Sequence, residues 1–455
     1  MSGLFTTGIV SPGKLISSAY GADTKESGTP ADTSTASDAE KPSYEARLSA
    51  LEDLMKKKAD KPDTTNGFKT SLNGRVYLDY YDLSGDSSAT TPSFRDDLSF
   101  GGFKDLRLGA VGEGYGHYAF KMDFYFANSN TVEIRDVWFS ADDVPGLSMF
   151  KIGHQRVEEG ISSLLGGMHT NFISFEGCDF LTFYRLGLSS RHLWAEDRLR
   201  WHVGVYDYKP VAGQWRNEVS ERLDWGVIAN TRLTYMPYMS KSDDGKADGK
   251  QMMLWGVNYG FYDPNDATQT YTQRYSQISG FGALQRVSLG KVDHYNQVGA
   301  EFVMQDGPFA LQSEAYARSY DLESGKKPTV WGVYVEGRYY LTGDYRRFNA
   351  KQAIWGAAKL NNNLDFERGE CRNYVNHLGA WELALRWNFE NLSGFTKSGL
   401  SGVAADKTND FSVGLNWYWT ERSRMMFDYT RIVPMENSGG HASLNLFATA
   451  FRYYF

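Results

Sequence analysis

The chain has 455 residues and a formal net charge of −7. It is mildly acidic and carries no basic stripe, which argues against a nucleic-acid surface as its main partner. Aromatic residues make up 15% of it, an excess that suits the aromatic girdles of a membrane barrel and also an aromatic-rich soluble β-protein. No stretch approaches the roughly 18 consecutive apolar residues of a membrane helix, so a membrane-spanning fold would have to be a closed barrel with every backbone group paired.

Residues 1–22 read as an imperfect signal segment. Leu4 to Ile16 is weakly apolar but broken by Pro12 and Lys14, and Ser18 to Ala22 supplies small residues for cleavage. Residues 23–66 are a Ser/Thr/Ala/Asp/Lys-rich linker with a short helix expected over about 43–58. Tyr44, Leu48, Leu51 and Met55 form a two-heptad seam on that helix. It is too short to be stable alone, so it either associates with copies of itself or frays.

From about Leu72 the apolar period becomes two. Tyr118, Phe120, Met122, Phe124 and Phe126 fall on one face, and Lys121, Asp123 and Tyr125 on the other. The pattern recurs where Leu199, Trp201, Val203 and Val205 oppose Arg200, His202 and Tyr206, and where Trp331, Val333 and Val335 oppose Tyr334, Glu336 and Arg338. It recurs again over Trp381 to Phe389 and Phe411 to Trp419. The spacing predicts about sixteen strands: 72–82, 104–113, 117–126, 131–141, 147–154, 184–192, 199–207, 224–236, 251–262, 298–306, 309–320, 329–341, 378–389, 409–419, 423–432 and 444–455. An even number suits an all-β, transmembrane antiparallel barrel over residues 67–455, and a barrel of that size leaves an aqueous channel.

Connection lengths support a barrel with two distinct ends. The joins around Tyr115, Val144, Asp197, Gly307 and Glu421 are short and share one side by parity, whereas 83–103, 155–183, 208–223, 263–297 and 390–408 are long and share the other. Two joins depart from the rule. Ala127 to Asn130 is short on the loop side. Thr342 to His377 is long on the turn side, so either a strand is miscounted or a segment folds under or into the barrel. The chain ends on alternating aromatics, Phe447, Phe451, Tyr453 and Phe455, which is the last strand that outer-membrane barrels present for assembly.

Strand parity turns Arg107, Lys121, Asp123, Arg200, His202, Arg232, Glu314, Arg318, Glu336, Arg338, Glu382, Arg386, Arg424 and Asp428 toward the lumen. Such charges either set ion preference or form salt bridges that brace the wall, and exposed pairs of that kind contribute little. The candidates for selectivity are Arg107, Lys121, Asp123, His154, Arg156, Arg200, Arg232, Arg318, Arg338 and Arg386. Arg107 with Lys121 is the best cation pair on adjacent strands, and His154 and Arg156 stand where the long 155–183 loop leaves the wall. Enzyme signals are weak. The glycines at 112, 114 and 116 mark a turn with no following helix, there is no GxSxG elbow, and the eight histidines form no ligand-like pair. No catalytic residue, metal or cofactor is expected. Nothing in the spacing of Cys178 and Cys371 supports a disulfide.

Four segments resemble the phosphate-selective porin O and P family: GAEFVMQDGPFALQSE from Gly299 to Glu314, WGVYVEGRYYLT from Trp331 to Thr342, GAWELALRW from Gly379 to Trp387, and GLNWYWTERSRMMFDY from Gly414 to Tyr429. A weaker match runs from Val132 to Trp138, with Gly153, His154 and Gln155 after it. The resemblance covers roughly residues 68–455 and implies a sixteen-stranded trimeric porin whose third long loop, here 155–183, folds inward. It implies an outer-membrane location with both termini periplasmic, the lipid bilayer and two further copies of the chain as partners, and passive diffusion of small hydrophilic solutes or ions, anions such as phosphate among them. Family members with anion selectivity line the lumen with an arginine ladder and a lysine cluster. The loop here departs from that pattern, since beside Arg156 it carries Glu158, Glu159, Glu176 and Asp179. The alternative is a structural or adhesive barrel that binds a partner through its long loops.

Overall fold

A computed structural model of the chain describes residues 67–127, 132–174, 180–209, 226–241, 247–265, 267–274, 283–364, 378–437 and 439–455. The expected signal segment, the linker with its helix, both cysteines, Glu176 and Asp179 lie outside the described residues.

The strands in chain order are β1 (Phe68–Ser84), β2 (Leu98–Gly114), β3 (Tyr118–Tyr125), β4 (Glu133–Asp142), β5 (Met149–Arg156), β6 (Tyr184–Trp194), β7 (Leu199–Asp207), β8 (Val227–Lys241), β9 (Ala247–Asp263) and β10 (Thr268–Arg274). There follow β11 (Ala283–Asp306), β12 (Phe309–Leu322), β13 (Thr329–Tyr340), β14 (Tyr345–Asn349), β15 (Ile354–Lys359), β16 (Ala380–Asn391), β17 (Ala405–Thr420), β18 (Ser423–Glu436) and β19 (Leu444–Tyr454). Among the described residues, all but β10, β14 and β15 form one closed antiparallel barrel of sixteen strands. Each barrel strand pairs with its neighbour in the chain, and β1 closes the ring on β19 from Arg75↔Tyr454 to Ser84↔Asn445. The sixteen expected strands coincide with these sixteen in order.

Alternation decides which face each side chain takes. On β13 Trp331 and Tyr339 point outward and are exposed, while Tyr334, Glu336 and Arg338 point inward and are buried. Exposed apolar side chains such as Phe103, Trp255, Leu385 and Phe447 recur around the outside. A soluble monomer rarely shows so continuous an apolar surface, whereas lipid covers it at no cost. At the seam, the Phe455 amide donates to the Gly74 carbonyl and the Gly74 amide to the Phe455 carbonyl, both at 3.1 Å. The last residue thus completes the ring's hydrogen bonding.

Short turns gather at the end that holds Phe68 and Phe455, here the turn end, and long connections gather at the other, the loop end. Gly307 takes φ 55 in the two-residue turn between β11 and β12, a left-handed conformation open to glycine at little cost. The long turn-end segment after Thr342 proves to be an infolded piece rather than a miscounted strand. Its β14–β15 hairpin lies inside the barrel, where wall side chains from β8, β12 and β13 contact it.

A second infolded segment comes from the loop end between β5 and β6; we call it the constriction loop. Its residues Ile161 and Leu165 share one apolar cluster with Phe348, Ala353 and Trp355 of the hairpin and with Leu254 and Val303 of the wall. A second cluster joins Val157 and Phe180 of the loop to Tyr271 of β10, Val287 of β11, Phe395 and the wall tyrosines Tyr262, Tyr295 and Tyr320. Burying each such side chain contributes about 1.5 to 3 kcal/mol. These packed clusters lie against wall side chains of β7–β13.

Candidate functional site

The constriction loop has little regular structure beyond one helical turn, Ile161–Leu164. Its buried backbone groups therefore need partners from the wall. Wall carboxylates accept its amides: Glu301 from Ile161 at 3.0 Å, Glu314 from Ser162 at 3.2 Å, and Asp428 from Ile173 at 2.5 Å. Wall arginines donate to its carbonyls. Arg424 Nη2 reaches Gly167 at 2.9 Å and Thr170 at 2.7 Å, Arg452 Nη2 reaches Ile173 at 2.9 Å, and Arg318 reaches Phe180.

The described acids of the loop, Glu158 and Glu159, face the wall. Glu158 pairs with Arg200, with His202 at 3.6 Å and with Arg232 at 3.8 Å. Although buried, its carboxyl is held well below the usual range by those three groups. Glu159 accepts from the Tyr262 hydroxyl and the Thr182 amide, and burial pushes its carboxyl up to about 6. At the loop's tip, burial and the neighbouring guanidiniums of Arg346, Arg424 and Arg75 push the His169 imidazole down to about 3.

The opposite wall is basic and aromatic. Tyr184 at the start of β6 lies beneath three guanidinium groups, with Arg156, Arg135 and Arg107 at 5.0, 5.7 and 5.8 Å from its ring centre. Its hydroxyl accepts from Arg107 Nη1 and Arg156 Nε, each at 3.1 Å. Asp105 holds Arg75 at 3.1 Å and Arg107 at 2.7 Å. The loop approaches this wall at Gly166 and Gly167. A Cβ on Gly167 would stand 2.7 Å from the Tyr77 ring, closer than side chains tolerate, and one on Gly166 would meet Arg75 at 3.6 Å. Two glycines therefore let the loop backbone pack closely against Arg75 and Tyr77 of this wall.

The expected site residues divide into two groups. Arg107, Lys121, Asp123, His154 and Arg156 lie on the β1–β6 wall. Lys121 bridges Asp123 and Asp136, both at 3.0 Å. Arg107 and Lys121 do not act as a pair, since Arg107 stands opposite Tyr125 in register and Lys121 opposite Val111, each held by its own carboxylates. His154 stacks on Tyr184 at 5.8 Å with Nδ1 2.5 Å from the Arg135 carbonyl oxygen. Arg156 Nη1 donates to the Ser163 and Leu165 carbonyls at 2.9 and 2.7 Å, tying the loop to its own stem.

The second group, Arg200, Arg232, Arg318, Arg338 and Arg386, is buried beneath the infolded segments. Arg386 Nη2 donates to Ser174 at 2.5 Å, and Arg338 lies 3.8 Å over the Trp355 ring. Sequence reasoning missed Arg75, Arg135 and Tyr184. Arg75 alternates with Tyr77 and Asp79 on β1, so its parity was legible. Arg135 sits beside a register shift between β3 and β4, where parity fails.

A closed, even-stranded antiparallel barrel with an apolar outside, a charged inside and a loop folded into its lumen is the architecture of an outer-membrane porin. The family model for phosphate-selective porin O and P matches residues 70–455, and the chain belongs to that family. No curated protein sequence matches it. Among solved structures it is similar to an anion-selective porin from Comamonas acidovorans, with a TM-score of 0.50 and 10% identity over 86% of this chain and 100% of that one. The outer membrane channel DcaP of Acinetobacter baumannii gives 0.49 and 12% over 86% and 99%. OmpT of Vibrio cholerae in its trimer form gives 0.46 and 10% over 86% and 100%. Likeness at such identity bears on the fold alone. The chain is thus an outer-membrane channel protein.

Proposed function

We propose that this porin passes small anions by diffusion through an aperture that the constriction loop leaves beside the β3–β6 wall. The observation that carries the reading is the arrangement of charge: the loop acids Glu158 and Glu159 turn into the far wall, while Arg107, Arg135 and Arg156 gather about Tyr184 on the near one and Arg75 shares Asp105 with Arg107. The acidic composition of the described part of the loop therefore does not make the passage acidic. Cations that already share Asp105 or a tyrosine hydroxyl suit brief, exchangeable contact, because conduction needs sites that bind and release. Phosphate fits this chemistry, since guanidinium groups recognise its oxygens through paired N–H donors.

In this reading Arg107, Lys121, Asp123, His154 and Arg156 shape the aperture, and Arg200, Arg232, Arg318, Arg338 and Arg386 hold the segments that frame it. The reading takes the porin as a homotrimer with both termini in the periplasm, residues 1–22 as a degraded signal segment and residues 23–66 as a linker with a short helix. The test is single-channel recording in chloride with phosphate added: the proposal expects open, ohmic steps that phosphate reduces. A protein that inserts and never conducts would overturn it.

A further inference from the structure

Wall residues that steady the first turn of the constriction loop are linked to the β14–β15 hairpin directly or through one neighbour. Arg232 Nη2 donates to the Ala353 carbonyl at 3.1 Å and to Glu301 Oε2 at 2.9 Å, and Glu301 Oε2 accepts the Ile161 amide. Arg200 holds Glu158 of the loop while its Nε donates to the Lys351 carbonyl at 3.1 Å. Trp355 Nε1 donates to Gln312 Oε1 at 2.6 Å, Gln312 Nε2 to the Tyr334 hydroxyl at 2.5 Å, and that hydroxyl lies 2.7 Å from Ser162 Oγ. Two contacts are direct. Arg346 Nη1 donates to the His169 carbonyl at 2.5 Å, and Trp355 belongs to the apolar cluster of Ile161 and Leu165.

We infer that the hairpin is the seat of the constriction loop, with Arg346 and Trp355 as positioning residues that set the aperture from the turn end. The described part of the loop has little regular structure for this work: its helical turn is only Ile161–Leu164, with no side-chain cap at Gly160, and Arg156 alone reaches its last carbonyls from the stem. A loop so made keeps one position only if a rigid body stands beneath it. The hairpin has its own sheet pairing, from Tyr345↔Lys359 to Asn349↔Ile354, and its own aromatic contact, Phe348 edge-on to Trp355 at 5.1 Å. It is tied to the barrel independently of the loop, through Arg346 Nη2 to Glu382 at 3.1 Å and to the Tyr418 hydroxyl at 2.8 Å. Loop position and hairpin position are therefore coupled, and coupling between two sites acts in both directions.

A plug that merely fills space would behave differently, and chymotrypsin digestion of the purified full chain separates the two. The loop carries Phe172 and Phe180, both buried. Trp355→Ala and Arg346→Ala are expected to expose the loop to cleavage there and to raise open-channel current noise several-fold, with Arg346→Lys restoring most of the protection. Conductance that rises in these variants while the loop stays protected would overturn the inference and leave the hairpin a plug. The reciprocal variant guards against misfolding. Leu165→Ala, a mild change in the loop, is expected to open the hairpin to trypsin at Arg347 and Lys351; a hairpin as resistant as in the parent protein would also overturn it. The proteolysis does not depend on which ion passes, so its failure and failure of the anion reading are separable.

Discussion

Arg232 on β8 and Glu301 on β11 meet across the strand between them, with Nε 2.7 Å from one carboxylate oxygen and Nη2 2.9 Å from the other. Both side chains are fully buried. The space they share lies over Gly256 of β9, where a Cβ would overlap the Glu301 carboxylate. Removing one partner of such a pair strands a buried charge. Glu301→Leu is expected to cost about 3 to 5 kcal/mol, whereas Arg232→Met with Glu301→Leu recovers most of it. Gly256→Val is expected to cost about 1 to 3 kcal/mol by crowding the same pair. The temperature at which the folded barrel loses its compact electrophoretic mobility checks all three, and a double variant no better than the single would contradict the first.

Asp105 and Glu158 make opposite predictions although both are acids in the lumen. Asp105→Asn releases Arg75 and Arg107 at the aperture and is expected to move the reversal potential further toward the anion side. Glu158→Gln alters a carboxylate turned into the wall, so it is expected to leave the reversal potential unchanged while lowering thermal tolerance through the stranded Arg200. A selectivity shift in Glu158→Gln equal to that in Asp105→Asn would contradict the placement of the loop's acids.

The loop's docking should weaken as pH rises through about 6. Glu159 contributes to this, since burial raises its carboxyl to about 6, facing Tyr262, Thr182 and Arg318, and the wall carboxyls Glu314 and Asp428 also hold loop amides. A carboxyl raised in the docked loop keeps its proton where the free loop has lost it, so docking is strongest below the ordinary value and declines above it, by about 2 kcal/mol in all. Glu158, held low, stays ionised throughout this window. Protection of the loop from proteolysis is expected to be greater at about pH 5 than at about pH 7.5, and Glu159→Gln is expected to reduce the difference. Equal pH dependence in that variant would assign the effect elsewhere.

Gly74 leaves room for the terminal aromatic, because a Cβ there would collide with the Phe455 ring. Gly74→Val is expected to displace Phe455 from the seam and to lower the amount of barrel inserted in the outer membrane, at a cost of about 1 to 3 kcal/mol. Quantifying folded protein in membrane fractions checks it, and undiminished insertion would show that the ring closes without that contact.

The barrel was legible in the sequence because period-two alternation and the parity of short and long joins both report on one closed sheet. Trp331 to Leu341 shows why: each outward apolar residue is matched by an inward polar one, and no tertiary information is needed to see it. The interior was far less legible. Arg200 and Arg107 have the same parity and the same chemistry, yet one lies under Glu158 and Lys351 and the other stands beside Tyr184 at the aperture. That difference is made by chain segments more than forty positions away, which alternation does not encode. The long turn after Thr342 left open a miscounted strand or an infolded segment, and did not reveal that Trp355 and Arg346 would meet the loop. Glu158 and Glu159 made the loop read as acidic, but composition counts charge and does not say which way it faces.

The reversal potential of the parent protein in a potassium chloride gradient across a planar bilayer tests the central claim most directly. A potential of the sign set by chloride permeation is the predicted result; one of the sign set by potassium would contradict an aperture governed by Arg75, Arg107, Arg135 and Arg156.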